Sequence, residues 1–239
     1  NFFTCQICDE KNFCDESYPS IDVIRNICFQ ESEWKIFFSK CKEMKINLIP
    51  CPTEIQSLNL CISEGFKLIK IHGSDILNIE MLERLSDANV KVLLETQFAT
   101  ERDIDLAISV IGIEKIECLI HGYSNYPTEG EELNLNAIDY MRAKWNVDIG
   151  FADHSLETKT IPLLAIAKGA TWLEKHFTIS RNQRNYDWQT SLEYEEFSKL
   201  VMNINKYKKI FGNELKHPTA NENIIRNIAF KKYVEKEGI

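Results

Sequence analysis

Short apolar runs alternate with longer amphipathic stretches along most of this chain, and this alternation restricts the possible folds more than any other feature of the sequence. The runs are too short for helices and rich in Val, Ile and Leu, which is typical of buried parallel strands. They occupy 46–51, 66–71, 90–94, 116–120, 147–151 and 171–174, with Phe2–Gln6 as a candidate seventh. Helix-like segments lie between them near 54–64, 78–88, 100–111, 134–145 and 159–168. The alternation predicts repeated βαβ units.

Two architectures fit such units, a doubly wound open sheet and a closed (β/α)8 barrel of the TIM type. No strand is followed by a G-x-G-x-x-G or G-x-x-x-x-G-K motif, so the main argument for a nucleotide-binding open sheet is missing. A barrel domain over residues 1–212 is therefore favoured, closed by a long helix at 191–211. Residues 213–239 are interpreted as a polar C-terminal linker or tail.

Composition excludes several classes of function. The 36 acidic side chains outnumber the 28 basic ones, giving a net charge of −8, and an acidic surface repels nucleic-acid phosphates. No apolar stretch approaches the roughly 20 residues of a membrane-spanning helix, and no signal peptide is evident. The eight cysteines are interpreted as reduced thiols of a cytoplasmic protein. The pair Cys5 and Cys8, with Cys14, has no second pair at zinc-ribbon spacing, so a metal site is not expected there.

Polar and titratable residues end the predicted strands. In a barrel the carboxyl ends of the strands form the active face, so these residues converge on one mouth. They are Gln6, Cys51, Lys70, His72, Glu95, Thr96, His121, Asp153, His154, Lys175 and His176.

His154 and His176 follow the last two predicted strands. Neighbouring strands lie about 4.8 Å apart, so two imidazoles at equal depth can share one cation. Alternatively the two histidines are unrelated, and each bonds to a loop carbonyl. Asp153 either orients an imidazole or caps the next helix.

Lys70 ends an apolar strand, and Asp75 follows on the same loop. The two residues either form an ion pair at the rim or act on a ligand, with Lys70 holding an anionic group and Asp75 moving a proton. A lysine at the mouth is expected to be partly solvated, so its removal should cost the fold no more than about 1 kcal/mol.

Tyr126, Pro127 and Thr128 lie in the loop after the strand that ends at Ile120. The proline fixes a turn, and Tyr126 is either a packing residue or a platform for a sugar.

Five segments together resemble motifs of the sialic acid synthase, NeuB-type, family. Residues 150–155 (GFADHS) resemble its G-Y-S-D-H-T motif, and 169–178 (GATWLEKHFT) its G-A-x-x-x-E-K-H-F-T motif. Residues 70–75 (KIHGSD) are similar to K-I-x-S-x-[DE], and 121–128 (HGYSNYPT) to H-C-x-x-x-Y-P-T. Residues 187–192 (DWQTSL) resemble D-x-x-x-S-L. The motifs are collinear and cover nearly the whole chain.

The resemblance implies a TIM barrel that condenses phosphoenolpyruvate with an N-acylated amino sugar similar to N-acetylmannosamine. The products would be a nonulosonic acid for cell-surface polysaccharide and phosphate. It implies that His154 and His176 bind a divalent metal, Mn²⁺ or Mg²⁺, and that Lys70 and Asp75 are catalytic. A homodimer is a further expectation that follows from the resemblance. The implied substrate-binding residues are Gln6, Ser74, Thr96, Ser124, Tyr126 and Asp187.

The chain departs from the family pattern mostly on the phosphate side. Ala152 and Gly73 replace serines, and Glu95 replaces the serine of an S-T-G strand end. A carboxylate at Glu95 would repel an anionic ligand unless it points away or is protonated.

The family's first strand and its antifreeze-like C-terminal domain have no counterpart in the sequence, so strands two to eight are expected. A barrel without one strand has two unpaired edges, so either the chain is a fragment or another segment closes the ring. These departures leave open an altered barrel that binds a sugar or a metal without phosphoenolpyruvate. They also leave open a metal-dependent aldolase or epimerase that acts on a neutral ligand.

Overall fold

The computed structural model describes residues 3–7, 29–184, 187–212 and 215–229, with the backbone alone for residues 3–7 and 227. Cysteines 8, 14 and 28 lie outside the described residues, whereas Cys41, Cys51, Cys61 and Cys118 are buried thiols. In the part of the chain that the structure describes, no helix has the length and apolarity needed to cross a bilayer.

Strands and helices alternate along the chain. The strands are β1 (Phe3–Ile7), β2 (Leu48–Pro52), β3 (Leu68–Ile71), β4 (Lys91–Glu95), β5 (Ile116–Gly122), β6 (Ile149–Asp153) and β7 (Trp172–Lys175). The helices are α1 (Glu31–Glu43), α2 (Ile55–Ser63), α3 (Ile79–Asp87), α4 (Glu101–Ile111), α5 (Asn136–Trp145), α6 (Thr160–Ala167), α7 (Tyr194–Lys208) and α8 (Ala220–Ala229). Each predicted strand and helix is confirmed, with bounds that shift by a few residues.

Helix α1 was not predicted, although its sequence carries the signal. Trp34, Phe38 and Cys41 are spaced by four and three residues, so they lie on one face of a helix, and all three are buried. Glu31 and Glu33 lie in its first turn, where they stabilise the positive end of the helix dipole.

All strand pairings are parallel, which fits an α/β barrel. β1 pairs with β2, and β3 to β7 form a second sheet in sequence order. β2 lies alongside β3 without a ladder of hydrogen bonds between them. After β7 the chain turns back, and Leu192 forms a parallel bridge with Phe177. Within the described residues the ring of strands does not close, so the barrel is incomplete.

Apolar side chains fill two layers. The larger core lies between the sheet and its helices and includes Leu85, Leu94 and Phe151. The smaller cluster includes Ile49, Leu93, Ile120 and Ala152, which lie on the opposite face of their strands. Because side chains alternate, residues at even positions of β3, β6 and β7 share this second face with the odd positions of β4.

Backbone packing divides the chain into two units, Asn1–Val201 and Met202–Ile239. The first unit holds the strands and every candidate site residue. In the second unit, α8 exposes Ile224, Ile225 and Ile228. The expected boundary at residues 212 and 213 stays a prediction.

Candidate active site

Two imidazoles lie side by side where β6 and β7 end. The ring centroids of His154 and His176 are 5.1 Å apart. The ring of Tyr126 lies 4.4 Å from that of His154 and 5.6 Å from that of His176. We call these three residues and Asp187 the histidine side of the site. The two imidazoles are therefore neighbours, and a shared cation at this position stays a prediction.

The surroundings of each imidazole fix its orientation. Nδ1 of His154 lies 2.6 Å from the carbonyl oxygen of Tyr123, and because a carbonyl only accepts, Nδ1 is the donor. Nδ1 of His176 faces Oδ2 of Asp187 at 3.6 Å. Burial disfavours the charged form and lowers the pKa of both imidazoles, that of His176 to about 4. Both rings are therefore neutral at pH 7, which is the form that binds metal ions.

Burial also shifts the pKa values of the other two residues of the histidine side, Tyr126 and Asp187. Burial raises the pKa of Tyr126 to about 12, so its phenol keeps its proton and lies 3.3 Å from the hydroxyl of Ser124. Burial raises the pKa of Asp187 to about 6, so this carboxyl exchanges its proton near neutral pH. The Tyr126–Pro127 peptide bond is cis.

Lys70 forms the centre of a second cluster, deeper in the barrel. Its Nζ lies 2.7 Å from Oε1 of Glu95 and 2.6 Å from Oε1 of Glu174. Glu95 also accepts a hydrogen bond from the backbone N–H of Gly73 at 3.2 Å. The Nε2 atom of Gln97 lies 3.5 Å from Oε1 of Glu95. We call Lys70, Glu95, Gln97 and Glu174 the lysine side of the site.

The charges of the lysine side stabilise one another. Burial alone would lower the pKa of Lys70, but the carboxylates of Glu174 and Glu95 raise it above its usual value. Burial alone would raise the pKa of Glu174, but the ammonium of Lys70 lowers it. Lys70 is therefore a charged lysine that two carboxylates already neutralise.

One expectation about Lys70 is wrong, and one of the two alternatives given for it does not hold. Its side chain is only 6% exposed, so it is not a partly solvated rim lysine. Its partners are Glu95 and Glu174 rather than Asp75, so the rim ion pair does not form. Glu95 does not point away from the interior either, because strand alternation directs it toward Lys70.

Asp75 lies in the short 3-10 helix Gly73–Asp75 that follows β3. Its Oδ2 accepts a hydrogen bond from the hydroxyl of Ser74 at 3.2 Å, and burial raises its pKa. Ser74 is exposed, and its hydroxyl also lies 2.8 Å from Nδ1 of His72. This loop therefore carries a carboxyl group with a raised pKa at the carboxyl end of β3.

The structure does not bring every predicted residue into the two clusters. The hydroxyl of Thr96 donates to the carbonyl oxygen of Ile120 at 3.0 Å, toward β5. Gln6 pairs in register with Cys51, which puts its backbone near the carboxyl end of β1, and its side chain lies outside the described atoms. Asp153 does neither of the two things expected of it. Its carboxylate binds Nζ of Lys175 at 3.0 Å and accepts from the hydroxyl of Ser155 at 2.6 Å.

The two sides act on one another electrostatically, which makes them one site. The charges of Glu174, Glu95 and Lys70 all affect the pKa of His154. The pKa of Tyr126 responds to Asp187, Glu95 and Lys70. Glu174 and His176 are two residues apart at the end of β7, so they face the same way.

Sequence reasoning did not assign roles to Glu174 or Gln97. The position of Glu174 was predictable, because it precedes the candidate ligand His176 by two residues and so faces the same side of the strand. For Gln97 the signal was weak, since an amide after a strand end is common on any barrel rim.

Comparison with known proteins agrees with these motifs. The sequence model of the NeuB family matches residues 5–216. N,N'-diacetyllegionaminic acid synthase of Campylobacter jejuni is 31% identical over 202 residues, which is 83% of this chain and 60% of that protein. The enzyme of the same name from Legionella pneumophila is 26% identical and aligns with 91% of this chain and 62% of its own length. The chain thus spans about three-fifths of these curated relatives.

A solved structure supports the same assignment. The N-acetylneuraminic acid (sialic acid) synthetase of Leptospira borgpetersenii, crystallised with citrate, superimposes with a TM-score of 0.87. It is 30% identical and covers 95% of this chain, which covers 80% of that structure. The chain belongs to the NeuB family.

Proposed function

We propose that this chain is the barrel part of a nonulosonic acid synthase that condenses phosphoenolpyruvate with an N-acylated amino sugar. The observation that carries the proposal is the histidine side, where two neutral imidazoles lie together beside a phenol and a carboxyl group. Membership of a family whose relatives are named legionaminic and sialic acid synthases supports the same reaction.

In this reaction C3 of phosphoenolpyruvate bonds to the aldehyde carbon of the open-chain sugar. Water then adds at C2 and gives a hemiketal phosphate. In this intermediate the bond between C2 and the bridging phosphate oxygen breaks. The products are a keto acid and inorganic phosphate. The enol carbon is a modest nucleophile, so the aldehyde must be oriented and polarised.

The histidine side fits a divalent cation such as Mn²⁺ or Mg²⁺. His154 and His176 would hold the ion through Nε2, because their Nδ1 atoms face Tyr123 and Asp187. No group of three His, Cys, Asp or Glu side chains within the described ranges has the geometry of a metal site. Two protein ligands would leave positions for water and substrate, and the ion would supply Lewis acidity toward the aldehyde oxygen.

The remaining residues bind and move protons. Tyr126, with its pKa at about 12, donates a hydrogen bond to a sugar oxygen from a permanently protonated phenol. Asp187, with its pKa at about 6, accepts or returns a proton near neutral pH. Asp75, whose pKa is raised by burial, is a second carboxyl group for proton transfer. Ser74 and Ser124 orient Asp75 and Tyr126 through the hydrogen bonds described above. Lys70 binds a negatively charged group of the substrate once Glu95 or Glu174 releases its ammonium group.

The pairing of Lys70 favours a second candidate function. Because Glu95 and Glu174 neutralise its ammonium, the lysine side has a net negative charge that opposes an anionic ligand. A barrel that binds a sugar and a metal without phosphoenolpyruvate is consistent with this charge.

One assay separates the two functions. The protein is incubated with Mn²⁺, phosphoenolpyruvate and N-acetylmannosamine, and released inorganic phosphate is measured together with the keto acid. Equal amounts of both products are expected from the synthase. Sugar binding by calorimetry without release of phosphate would overturn the proposal in favour of the second function.

A further inference from the structure

Gln97 carries a buried polar atom that lacks a partner. The residue is 1% exposed, and its Oε1 accepts no hydrogen bond within the described structure. No other buried side-chain oxygen or nitrogen of the described residues is in this state. Burying an acceptor without a donor destabilises a fold, so an unpaired atom next to a site indicates a ligand that completes it.

The backbone leaves Gln97 little freedom to move away. A Cβ atom on Gly73 would lie 2.8 Å from the carbonyl oxygen of Gln97 and 2.9 Å from its Cβ. Glycine at position 73 is therefore what lets the end of β4 approach the end of β3. The Nε2 atom of Gln97 reaches Oε1 of Glu95, which holds the amide against the lysine side.

The charges around this amide select the type of ligand group. Glu95 is an acceptor whose partners are Lys70 and the N–H of Gly73. A ligand group that approaches Oε1 of Gln97 meets a neutral acceptor beside a carboxylate, so it must donate a hydrogen bond and carry no negative charge.

The two proposed substrates differ in this respect. Ionised phosphoenolpyruvate offers only acceptor oxygens, whereas an N-acylated amino sugar carries O–H and N–H donors. We propose that Gln97 is a specificity-determining residue whose Oε1 accepts a hydrogen bond from a donor of the amino sugar. The inference rests on the proposed function and deepens it, because it assigns the end of β4 to the sugar rather than to phosphate.

The test uses Gln97→Met, which keeps the length of the side chain and removes the amide. Calorimetry in the presence of Mn²⁺ measures the affinity for N-acetylmannosamine and, separately, for phosphoenolpyruvate. Loss of one hydrogen bond should weaken sugar binding about tenfold and leave phosphoenolpyruvate affinity within about twofold. Gln56→Met, at an exposed position of α2, is the matched control and should change neither affinity.

Thermal unfolding without ligand separates a recognition role from a structural one. Since the variant removes an unpaired buried acceptor, its Tm should equal or exceed that of the unmodified chain. A lower Tm, or an unchanged sugar affinity in a chain that still releases phosphate, would overturn this inference and leave the proposed function standing. If the unmodified chain neither binds the sugar nor releases phosphate, both fail.

Discussion

The histidine side and the lysine side use opposite electrostatics within one site. On the histidine side, burial keeps His154 and His176 neutral, and their lone pairs are available to a ligand. On the lysine side, opposite charges offset burial: the carboxylates of Glu174 and Glu95 raise the pKa of Lys70, and the ammonium of Lys70 lowers the pKa of Glu174. The histidine side offers nitrogen lone pairs to a cation, whereas the lysine side already contains the ammonium group of Lys70.

This difference explains which departures from the family pattern matter. The histidine side keeps its motif residues, whereas the lysine side has Glu95 in place of one serine and adjoins Gly73, which replaces another. A buried charge pair contributes little net stability when complete, but it is costly to break. The lysine side should therefore dominate folding, and the histidine side should dominate ligand binding.

The largest expected effect is that of Lys70→Met on stability. Removing the ammonium leaves Glu95 and Glu174 buried without a cation, which should lower the free energy of unfolding by about 3–5 kcal/mol. Urea unfolding monitored by circular dichroism measures the change. Lys35→Met, which removes the exposed pair with Glu31, is the matched control and should leave stability nearly unchanged.

A rescue variant tests the cause. Lys70→Met combined with Glu95→Gln and Glu174→Gln removes all three charges and should recover most of the lost stability. If Lys70→Met alone lowers the free energy of unfolding by less than about 1 kcal/mol, Lys70 behaves as a solvated lysine. That result would contradict the proposed electrostatic difference between the two sides.

The next effect concerns metal affinity. His154→Ala and His176→Ala should each weaken Mn²⁺ binding more than about 100-fold, because even residues that only orient metal ligands are worth about 10–100-fold. Calorimetry should find one site in the unmodified chain. His72→Ala, which removes an imidazole beside Glu95, is the control and should bind Mn²⁺ as the unmodified chain does. Equal binding in all four proteins would place the metal elsewhere.

A smaller effect is expected for Glu95→Gln on phosphoenolpyruvate. The variant keeps the shape of the side chain, and Lys70 keeps Glu174 as its partner. Removing one negative charge should tighten phosphoenolpyruvate binding about tenfold, roughly 1.4 kcal/mol, with Mn²⁺ affinity unchanged within about twofold. Glu117→Gln, an exposed position on β5, is the control. Weaker binding in Glu95→Gln would mean that Glu95 assists the substrate rather than opposing it.

The sequence predicted the histidine side better than the lysine side for a physical reason. Strand order alone brings His154 and His176 together, since each follows the end of one of two neighbouring parallel strands. Parallel strands lie at a fixed spacing, so an equal depth implies a contact. The pairing of Lys70 required its depth in the barrel and the direction of Glu174 from β7, at the far end of the five-stranded sheet.

In the fold, too, features set by local sequence pattern were predicted, and long-range contacts were not. Apolar periodicity located each strand, because burial between sheet and helices depends on local pattern. It gave no information on Gln97, whose position depends on the absence of a side chain at Gly73, more than twenty residues earlier. Contacts between strand ends are long-range, so they emerge only from the assembled sheet.

The smallest expected effect is a difference in the pH at which the two sides lose stability. His154, His176 and His121, a buried histidine of β5 outside the two clusters, have pKa values lowered by burial, so the unfolded chain binds protons more readily than the folded one. Their contribution is present above the usual histidine pKa of 6.5 and is lost as the pH falls below it. Glu174 has a lowered pKa as well, but its usual value is 4.5, so the contribution of Glu174 is lost only as the pH falls below that value.

His121 allows this to be measured apart from any metal. It is buried, and its Nε2 lies 3.1 Å from the carbonyl oxygen of Leu133. His121→Asn keeps a donor for that carbonyl and removes the titration. Urea unfolding with a chelator, repeated between pH 7 and pH 5, should show a shallower loss of stability in the variant, by at most about 1.4 kcal/mol for each unit by which the pKa is lowered. Asp187, whose pKa of about 6 is raised, acts in the opposite direction and is the same in both proteins. Parallel pH profiles would show that His121 does not titrate differently on folding, and the separation of the two sides by pH would then rest on His154 and His176 alone.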